Sequence, residues 1–385
     1  MTILPEFSRK DPMAWFSRFS LLPKRKQLVS QWLEQGSGMG ELGGWLASEL
    51  SGGRMGPLES FFEDLPPMSR IPLESFPELL DLACKGRFIP EGIRLTEAWM
   101  ERAPESVAPV NQAARLHSLA GRHEQAHELH RYALGRDPEE PETHYQLGCT
   151  LLREERMEEA KASFEQALAL DPRLGKAYTN LGFVLDRKGD REGAIRQFKR
   201  AIQLDPRNAN GHYNLGALYG EQGEFDLAIE LFLKALELDP TSLEGRLNLG
   251  LALFNSGRHN EAIREFEMVL RHHAENGEAW FFLGVSLSRI GSHERAFSAF
   301  QKSRRLYPDD TRVLYHLGLC HVNRNEYVKA LPCLLEVREA DPENARNHYY
   351  LGIVYDKLGD RGQAEESYRR AESLGMSLQS RSAGA

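Results

Sequence analysis

One short stretch of the sequence carries a pattern of residues that could do chemistry. Residues 121–130 read GRHEQAHELH, and residues 123–127 within them follow the pattern His-Glu-x-x-His. On a helix, two histidines four residues apart lie on one face, and in zinc peptidases such a pair binds the metal while the glutamate acts as general base. Catalysis would also need a third protein ligand, for which His130 is the nearby candidate, together with a metal-bound water and an open cleft. The surrounding elements decide whether the motif can act.

Those elements are set by an internal repeat of 34 residues. Nine blocks in one unbroken register start at residues 73, 107, 141, 175, 209, 243, 277, 311 and 345. Position 20 is alanine from the second block onward, position 32 is mostly proline, and from the third block onward position 8 is glycine. Position 24 is large and apolar in most blocks, as in Phe164, Phe198, Phe232, Phe266 and Phe300. Small residues allow two helices to cross closely, and proline ends the second helix of each block.

These columns resemble the tetratricopeptide repeat (TPR) family over about four fifths of the chain. The resemblance implies an all-α fold, a right-handed superhelix (α-solenoid) of stacked hairpins, with the first helix of each hairpin lining a groove. We assign residues 1–72 to a helical N-terminal cap or docking region and residues 73–378 to the TPR superhelix. Residues 379–385 form a short polar tail.

The repeat register changes the interpretation of the histidine motif. Ala126 is the recurring alanine at position 20, and His127 occupies position 21, which is usually apolar, being isoleucine, phenylalanine or leucine in most sister blocks. We therefore expect His127 at a packed contact between repeats, and the sequence predicts no catalytic residue, no metal site and no cofactor. His127 and His130 are polar where sister blocks are apolar, which indicates a weak point in the stack or a contact with the N-terminal cap.

The residues predicted to bind a partner peptide lie at positions 5 and 6 of the first helices. They form a carboxamide series and an aromatic series, namely Gln146, Asn180, Asn214 and Asn248, with Tyr213, Phe281, Tyr315 and Tyr349. An asparagine offers a donor and an acceptor, so it can pair with the backbone of any peptide. The asparagines resemble the ladder in protein O-linked N-acetylglucosamine transferase, which implies an extended ligand. Alternatively, they only support packing between turns. The aromatic series is expected to be partly exposed.

Charge and cysteine content narrow the partner class. The net charge is −8 and the first 72 residues are neutral overall, so the repeat region is acidic and nucleic acid is not an expected partner. Four cysteines without CxxC spacing favour buried thiols.

The sequence shows neither a signal peptide nor an apolar run of spanning length, so we expect a cytoplasmic protein. Membrane contact is expected, if anywhere, only from residues 1–35, where apolar residues accompany a basic cluster.

The sequence thus predicts a binding protein that is not an enzyme. Neither a nucleophile with its base nor a phosphate loop stands out from the repeat background. The expected function is a protein–protein interaction scaffold or adaptor that binds an extended or helical segment of a partner in the concave groove. The alternative is the substrate-recognition subunit of a modifying enzyme, such as a glycosyltransferase.

Overall fold

The computed structural model describes residues 68–376 and, before them, Gly43, Leu46, Phe61 and Phe62. The described residues form helices and no strand, which confirms the all-α prediction. After two 3-10 turns, Met68–Arg70 and Leu73–Ser75, the α-helices are α1 (Phe76–Gly86), α2 (Ile89–Arg102), α3 (Ala108–Leu119), α4 (His123–Arg136), α5 (Pro141–Arg153), α6 (Met157–Leu170), α7 (Gly175–Arg187), α8 (Arg191–Leu204), α9 (Ala209–Glu221), α10 (Phe225–Leu238), α11 (Leu243–Asn255), α12 (His259–His272), α13 (Gly277–Arg289), α14 (His293–Leu306), α15 (Thr311–Asn323), α16 (Tyr327–Ala340), α17 (Ala345–Leu358) and α18 (Arg361–Ser373).

Each block of 34 residues folds into one helix hairpin. From the third block onward, the first helix begins at the first residue of its block. In four blocks the residue just before that helix caps it, because the side chains of Asn208, Ser242, Asn276 and Asn344 each accept a hydrogen bond from a backbone N–H three residues later. The 34-residue period of the sequence therefore matches the spacing between the starts of successive first helices.

The chain divides into two compact units between residues 211 and 212, within α9. In the first unit, four hairpins run from α1/α2 to α7/α8. In the second unit, four complete hairpins run from α11/α12 to α17/α18, and α10 packs on α11. Within each unit, first helices of neighbouring repeats also touch, as α5 touches α7 and α11 touches α13. We use the term first-helix face for the surface of the second unit formed by residues 212–221, α11, α13, α15 and α17.

The close crossing within a hairpin depends on size matching between positions 8 and 24. A Cβ added to Gly250 would lie 2.7 Å from the ring of Phe266, which is fully buried. The ring occupies the space that a side chain at position 8 would need. In the second block both positions change together, because position 8 is Ala114 and position 24 is His130, and both are buried.

The turn between the two helices places a left-handed residue at position 15 of every block. In six blocks this residue is glycine, with φ between 73° and 86°, as at Gly121 and Gly359. The other three blocks have Arg87, Glu155 and Asn325 at this position, with φ of 61°, 60° and 58°. A residue with a Cβ is strained in this region, so the packing of the hairpin holds these three turns in place.

Three described residues from the N-terminal region cover the first hairpin. Leu46, Phe61 and Phe62 are buried in a core that also contains Phe76 and Leu79 of α1. The other predictions for residues 1–72, including the basic cluster and the membrane contact, lie outside the described residues, as does the tail of residues 379–385. No helix in the described part of the chain combines the length and apolar character needed to cross a membrane.

Candidate functional site

The side chains of the histidine motif are used in the contact between the second and third repeats. His127 Nε2 lies 2.7 Å from Glu154 Oε1, and His130 Nε2 lies 3.0 Å from Thr150 Oγ1. Thr150 lies in α5 and Glu154 directly follows it, so both histidines of α4 contact the next repeat. The expected packed position of His127 is confirmed. The described contacts of His127 and His130 are with the third repeat and not with the N-terminal cap.

The pKa shifts of His130 and Glu154 follow from burial and from their contacts between the two repeats. Burial lowers the pKa of His130 to about 4, and the neighbouring His127 contributes to the same shift, so the His130 ring is neutral at pH 7. Burial acts to raise the pKa of Glu154, but hydrogen bonds with His127 and Arg156 hold it below its usual value. Within residues 68–376, three or more histidine, cysteine or acidic side chains are nowhere grouped as metal ligands would be.

Two of the predicted asparagines form the same contact, once in each unit. Asn180 Nδ2 lies 3.4 Å from the hydroxyl of Tyr145, one repeat earlier. Asn248 Nδ2 donates to the hydroxyl of Tyr213 over 2.5 Å, and Tyr213 in turn donates to Glu244 over 2.8 Å. Burial and the hydrogen bond to Glu244 raise the pKa of Tyr213, so its hydroxyl stays protonated. Asparagine at position 6 thus links adjacent first helices where the preceding repeat has tyrosine at position 5.

This contact uses only part of the hydrogen-bonding capacity of each carboxamide. Asn180 and Asn248 each donate through Nδ2, and within the described chain their Oδ1 atoms accept no hydrogen bond. Asn214 is half-buried, and its side chain makes no hydrogen bond to another described residue. Gln146, by contrast, is 6% exposed and donates to Glu142 over 2.7 Å, so it cannot reach a ligand. We remove Gln146 from the predicted surface.

A groove of about 400 Å³ opens on the first-helix face beside Asn248. Its apolar wall includes Phe232 and Leu251, and its polar rim includes Tyr213, Asn248 and Asn255. Phe232 is buried, Leu251 is half-buried and Asn255 is exposed, so polarity increases from the floor to the rim. The volume suits the side chain of one apolar residue of a ligand with space for its backbone at the rim.

The aromatic residues of the second unit form a continuous series across the first-helix face. Neighbouring ring centroids lie 5.1 to 6.3 Å apart along Phe254, Phe282, Phe281, His316, Tyr315, Tyr350 and Tyr349. Such tilted and edge contacts are favourable and fix the rings relative to one another. Tyr315 and Tyr349 are half-buried, as expected, and burial raises the pKa of Tyr315 to about 12.

The prediction that Phe281 is partly exposed is wrong. The ring is 7% exposed and packs 6.2 Å from Phe300, the position-24 residue of its own repeat. The guanidinium of Arg312 lies 4.8 Å above the same ring, and the His316 ring packs beside it. Phe281 is therefore part of the packed layer beneath the first-helix face. The accessible aromatic surface comes from half-buried residues such as Phe282, Tyr315 and Tyr349.

Sequence reasoning did not single out the apolar wall of the groove. Ala217 and Leu251 occupy position 9, one helical turn from the polar residues at position 6, and both line the groove. The sequence does carry a sign of this apolar wall, because position 9 is apolar in these two blocks although it lies on the first-helix face. Which apolar residues at this position border open space depends on the side chains of the neighbouring repeat.

The fold defines a repeat protein of the α-solenoid class, built from stacked helix hairpins. Family models for the tetratricopeptide repeat match residues 141–174, 209–242, 247–311 and 315–377, and a further TPR repeat model matches residues 185–223. Together they cover more than half of the chain, and the chain belongs to the tetratricopeptide repeat family. This fold is typically a non-catalytic scaffold for protein–protein interaction.

Three solved structures are similar to this chain. YrrB, described as a TPR protein with an unusual peptide-binding site, is 28% identical, with 46% of this chain and 92% of YrrB covered and a TM-score of 0.41. MamA is 25% identical, with 43% and 91% covered and a TM-score of 0.40. The Cut9–Hcn1 hetero-tetramer of the APC/C is 18% identical, with 76% and 55% covered and a TM-score of 0.50, which shows a shared fold. Among curated protein sequences, none matches.

Proposed function

We propose that the chain is a non-catalytic adaptor whose first-helix face holds an extended or helical segment of another protein. The observation that carries the proposal is the groove beside Asn248. It combines an apolar wall with a carboxamide whose donor is held by Tyr213 and whose acceptor oxygen is left for a ligand. A binding group that is already fixed loses little conformational freedom when it binds.

The arrangement of the face suits a backbone-directed ligand. Adjacent first helices that touch lie about 8–10 Å apart, and an extended chain advances about 3.3 Å per residue, so each helix can contact roughly every third residue. Asn214 and Asn248 would pair with backbone amides, while the groove receives one apolar side chain. Tyr315 and Tyr349, on α15 and α17, provide half-buried aromatic surface farther along. Aromatic residues of this kind commonly act as anchors in interfaces.

The two interpretations of the asparagines are therefore compatible. Donation from Asn248 to Tyr213 stabilises the contact between repeats, and the same bond orients Oδ1 for a ligand. In this proposal, packing and binding use opposite ends of one side chain. A backbone N–H of the partner would supply the donor that Oδ1 lacks.

Affinity capture from the native cell tests this proposal with two matched variants. Leu251→Glu places a carboxylate in the groove, and Leu233→Glu places one on α10, where the side chain is 48% exposed and lies outside the groove lining. We expect Leu251→Glu to lose the captured partner and Leu233→Glu to retain it. Asn255→Trp, at the exposed rim, should obstruct the groove without disturbing the core.

The outcomes separate the candidate functions. Loss of binding in both groove variants, with helical content and urea midpoint unchanged in Asn255→Trp, supports the proposal. Retention of every partner by both groove variants contradicts it. A captured partner with a transferase domain would assign the chain to the alternative, a substrate-recognition subunit of a modifying enzyme such as a glycosyltransferase.

A further inference from the structure

The balance of exposed charge on the first-helix face shifts along the second unit. Glu221 and Glu244, on α9 and α11, are exposed near the groove, and Tyr213 fixes Glu244 through a hydrogen bond of 2.8 Å. Toward the other end, Arg289 on α13 is exposed, as are Arg346 and Lys357 on α17, and the exposed Glu278 of α13 and Asp356 of α17 offset part of this charge. The exposed charge therefore changes from net negative on α9 and α11, through balance on α13, to net positive on α17.

The basic end is available for a ligand. Within the described chain, Arg289, Arg346 and Lys357 form no ion pair, whereas Arg312 is held by Asp310 over 2.7 Å. Burial lowers the pKa of His316 to about 4, and the positive charge of Arg289 on α13 adds to that shift. Burial and Tyr350 raise the pKa of Tyr315, and the positive charge of Arg346 on α17 partly offsets this rise. Both arginines thus border the aromatic series and lie on the same face as the proposed anchors.

The middle of the face is apolar and aromatic. Phe254 of α11 and Phe282 of α13 pack with ring centroids 5.5 Å apart, and Leu251 lies one helical turn before Phe254 on α11. From α11 to α17 there are three helix steps, which is about 24–30 Å, or about eight residues of extended chain. One short segment can therefore contact both charged ends and the apolar middle.

We infer that the partner segment has its charge arranged in the opposite sense: lysine or arginine at the end over α9 and α11, apolar or aromatic residues in the middle, and aspartate or glutamate at the end near Arg289, Arg346 and Lys357. This inference rests on the proposed function and names the chemistry of the ligand. Complementary charges at the two ends fix the direction in which the segment lies and exclude segments of uniform charge.

Selection from a displayed library of random twelve-residue peptides tests the inference. The baits are the full chain, the double variant Arg289→Glu/Arg346→Glu, and the control Arg264→Glu/Arg305→Glu, which makes the same charge change at exposed positions of the second helices α12 and α14. The full chain and the control should enrich peptides with one basic and one acidic end. The double variant should enrich peptides that are basic at both ends, and it should bind the original peptides about tenfold more weakly at low salt.

The results distinguish this inference from the proposed function. Peptides that are enriched on the full chain and lost on Leu251→Glu, but that show no charge segregation, would overturn the inference and leave the proposed function intact. The same conclusion follows if Arg289→Glu/Arg346→Glu enriches the same peptides as the full chain. If no peptide is enriched over the Leu251→Glu bait, both the inference and the proposed function fail.

Discussion

Acid should weaken the contact between the second and third repeats through one buried imidazole. His130 is 1% exposed, its Nε2 contacts Thr150, and its Nδ1 has no hydrogen-bond partner in the described chain. Sister repeats have glycine at position 8 and mostly an aromatic residue at position 24. The matched perturbation is therefore Ala114→Gly with His130→Phe, since the glycine makes room for the larger ring. Thr150 remains satisfied in this variant, because its hydroxyl still donates to the Gln146 carbonyl over 3.1 Å.

The expected magnitude follows from the pKa of His130. Burial places it at about 4 in the folded chain, against about 6.5 for an unfolded histidine. Between these values the unfolded state binds the proton more tightly, so folding stability falls as the pH falls from 6.5 to 4 and is unaffected above that window. A difference of this size corresponds to a loss on the order of 3 kcal/mol from His130.

Urea unfolding followed by circular dichroism at several pH values between 7.5 and 4.5 measures this effect. The difference in unfolding free energy between the double variant and the parent should grow by about 2 kcal/mol or more across the series, in favour of the variant. Titrating groups that do not interact with His130, such as His316 with a pKa lowered to about 4, act equally in both proteins and cancel. Parallel pH profiles for the two proteins would refute the assignment of His130 as a buried neutral ring.

The remaining predictions concern packing and thiol reactivity. Gly250→Ala should destabilise the chain by about 1–3 kcal/mol, because the new Cβ would lie 2.7 Å from Phe266. The control Gly135→Ala, at a helical site where a new Cβ would have nothing within 4 Å, should be neutral or stabilising by up to about 1 kcal/mol. Equal effects in thermal unfolding would contradict the size-matching argument. Burial raises the pKa of Cys320 to about 11, so at pH 8 only roughly a thousandth is thiolate, and labelling by iodoacetamide should be slow until urea is added. Rapid labelling of native Cys320 would contradict the raised pKa of this half-buried thiol.

Much of the fold could be predicted because the repeat makes local rules visible many times. Glycine at position 15 in six blocks predicts a turn there. Arg87, Glu155 and Asn325 occupy the same position in the other three blocks and take the same left-handed conformation. Glycine at position 8 likewise implies a large neighbour. These features depend on backbone geometry and residue size, which every block repeats.

The candidate site could be predicted only in part. Residues at positions 5 and 6 lie on the first-helix face, but the availability of each side chain depends on the residues that surround it in the folded chain. Asn248 meets Tyr213 of the preceding repeat, Gln146 meets Glu142 within its own helix, and Phe281 is covered by Arg312. Each pairing is a matter of rotamers and contacts that a single sequence does not specify, so burial of Gln146 and Phe281 was not foreseen.

The histidine motif illustrates the same limit in another way. The letters match a zinc peptidase, yet His127 and His130 contact Glu154 and Thr150 of the following repeat. The register predicted a packed position for His127, but it did not identify the partners. Those partners explain why polar residues are accommodated at positions where sister repeats are apolar.

Photo-crosslinking from the first-helix face measures whether this face contacts the partner. A benzophenone amino acid is placed at position 251, within the groove, or at position 233, at an exposed site of α10 outside the groove, and each protein is irradiated with its captured partner. We expect a crosslink to one short segment of the partner from position 251 and none from position 233. A crosslink from position 233 alone would contradict the claim that the first-helix face binds the partner.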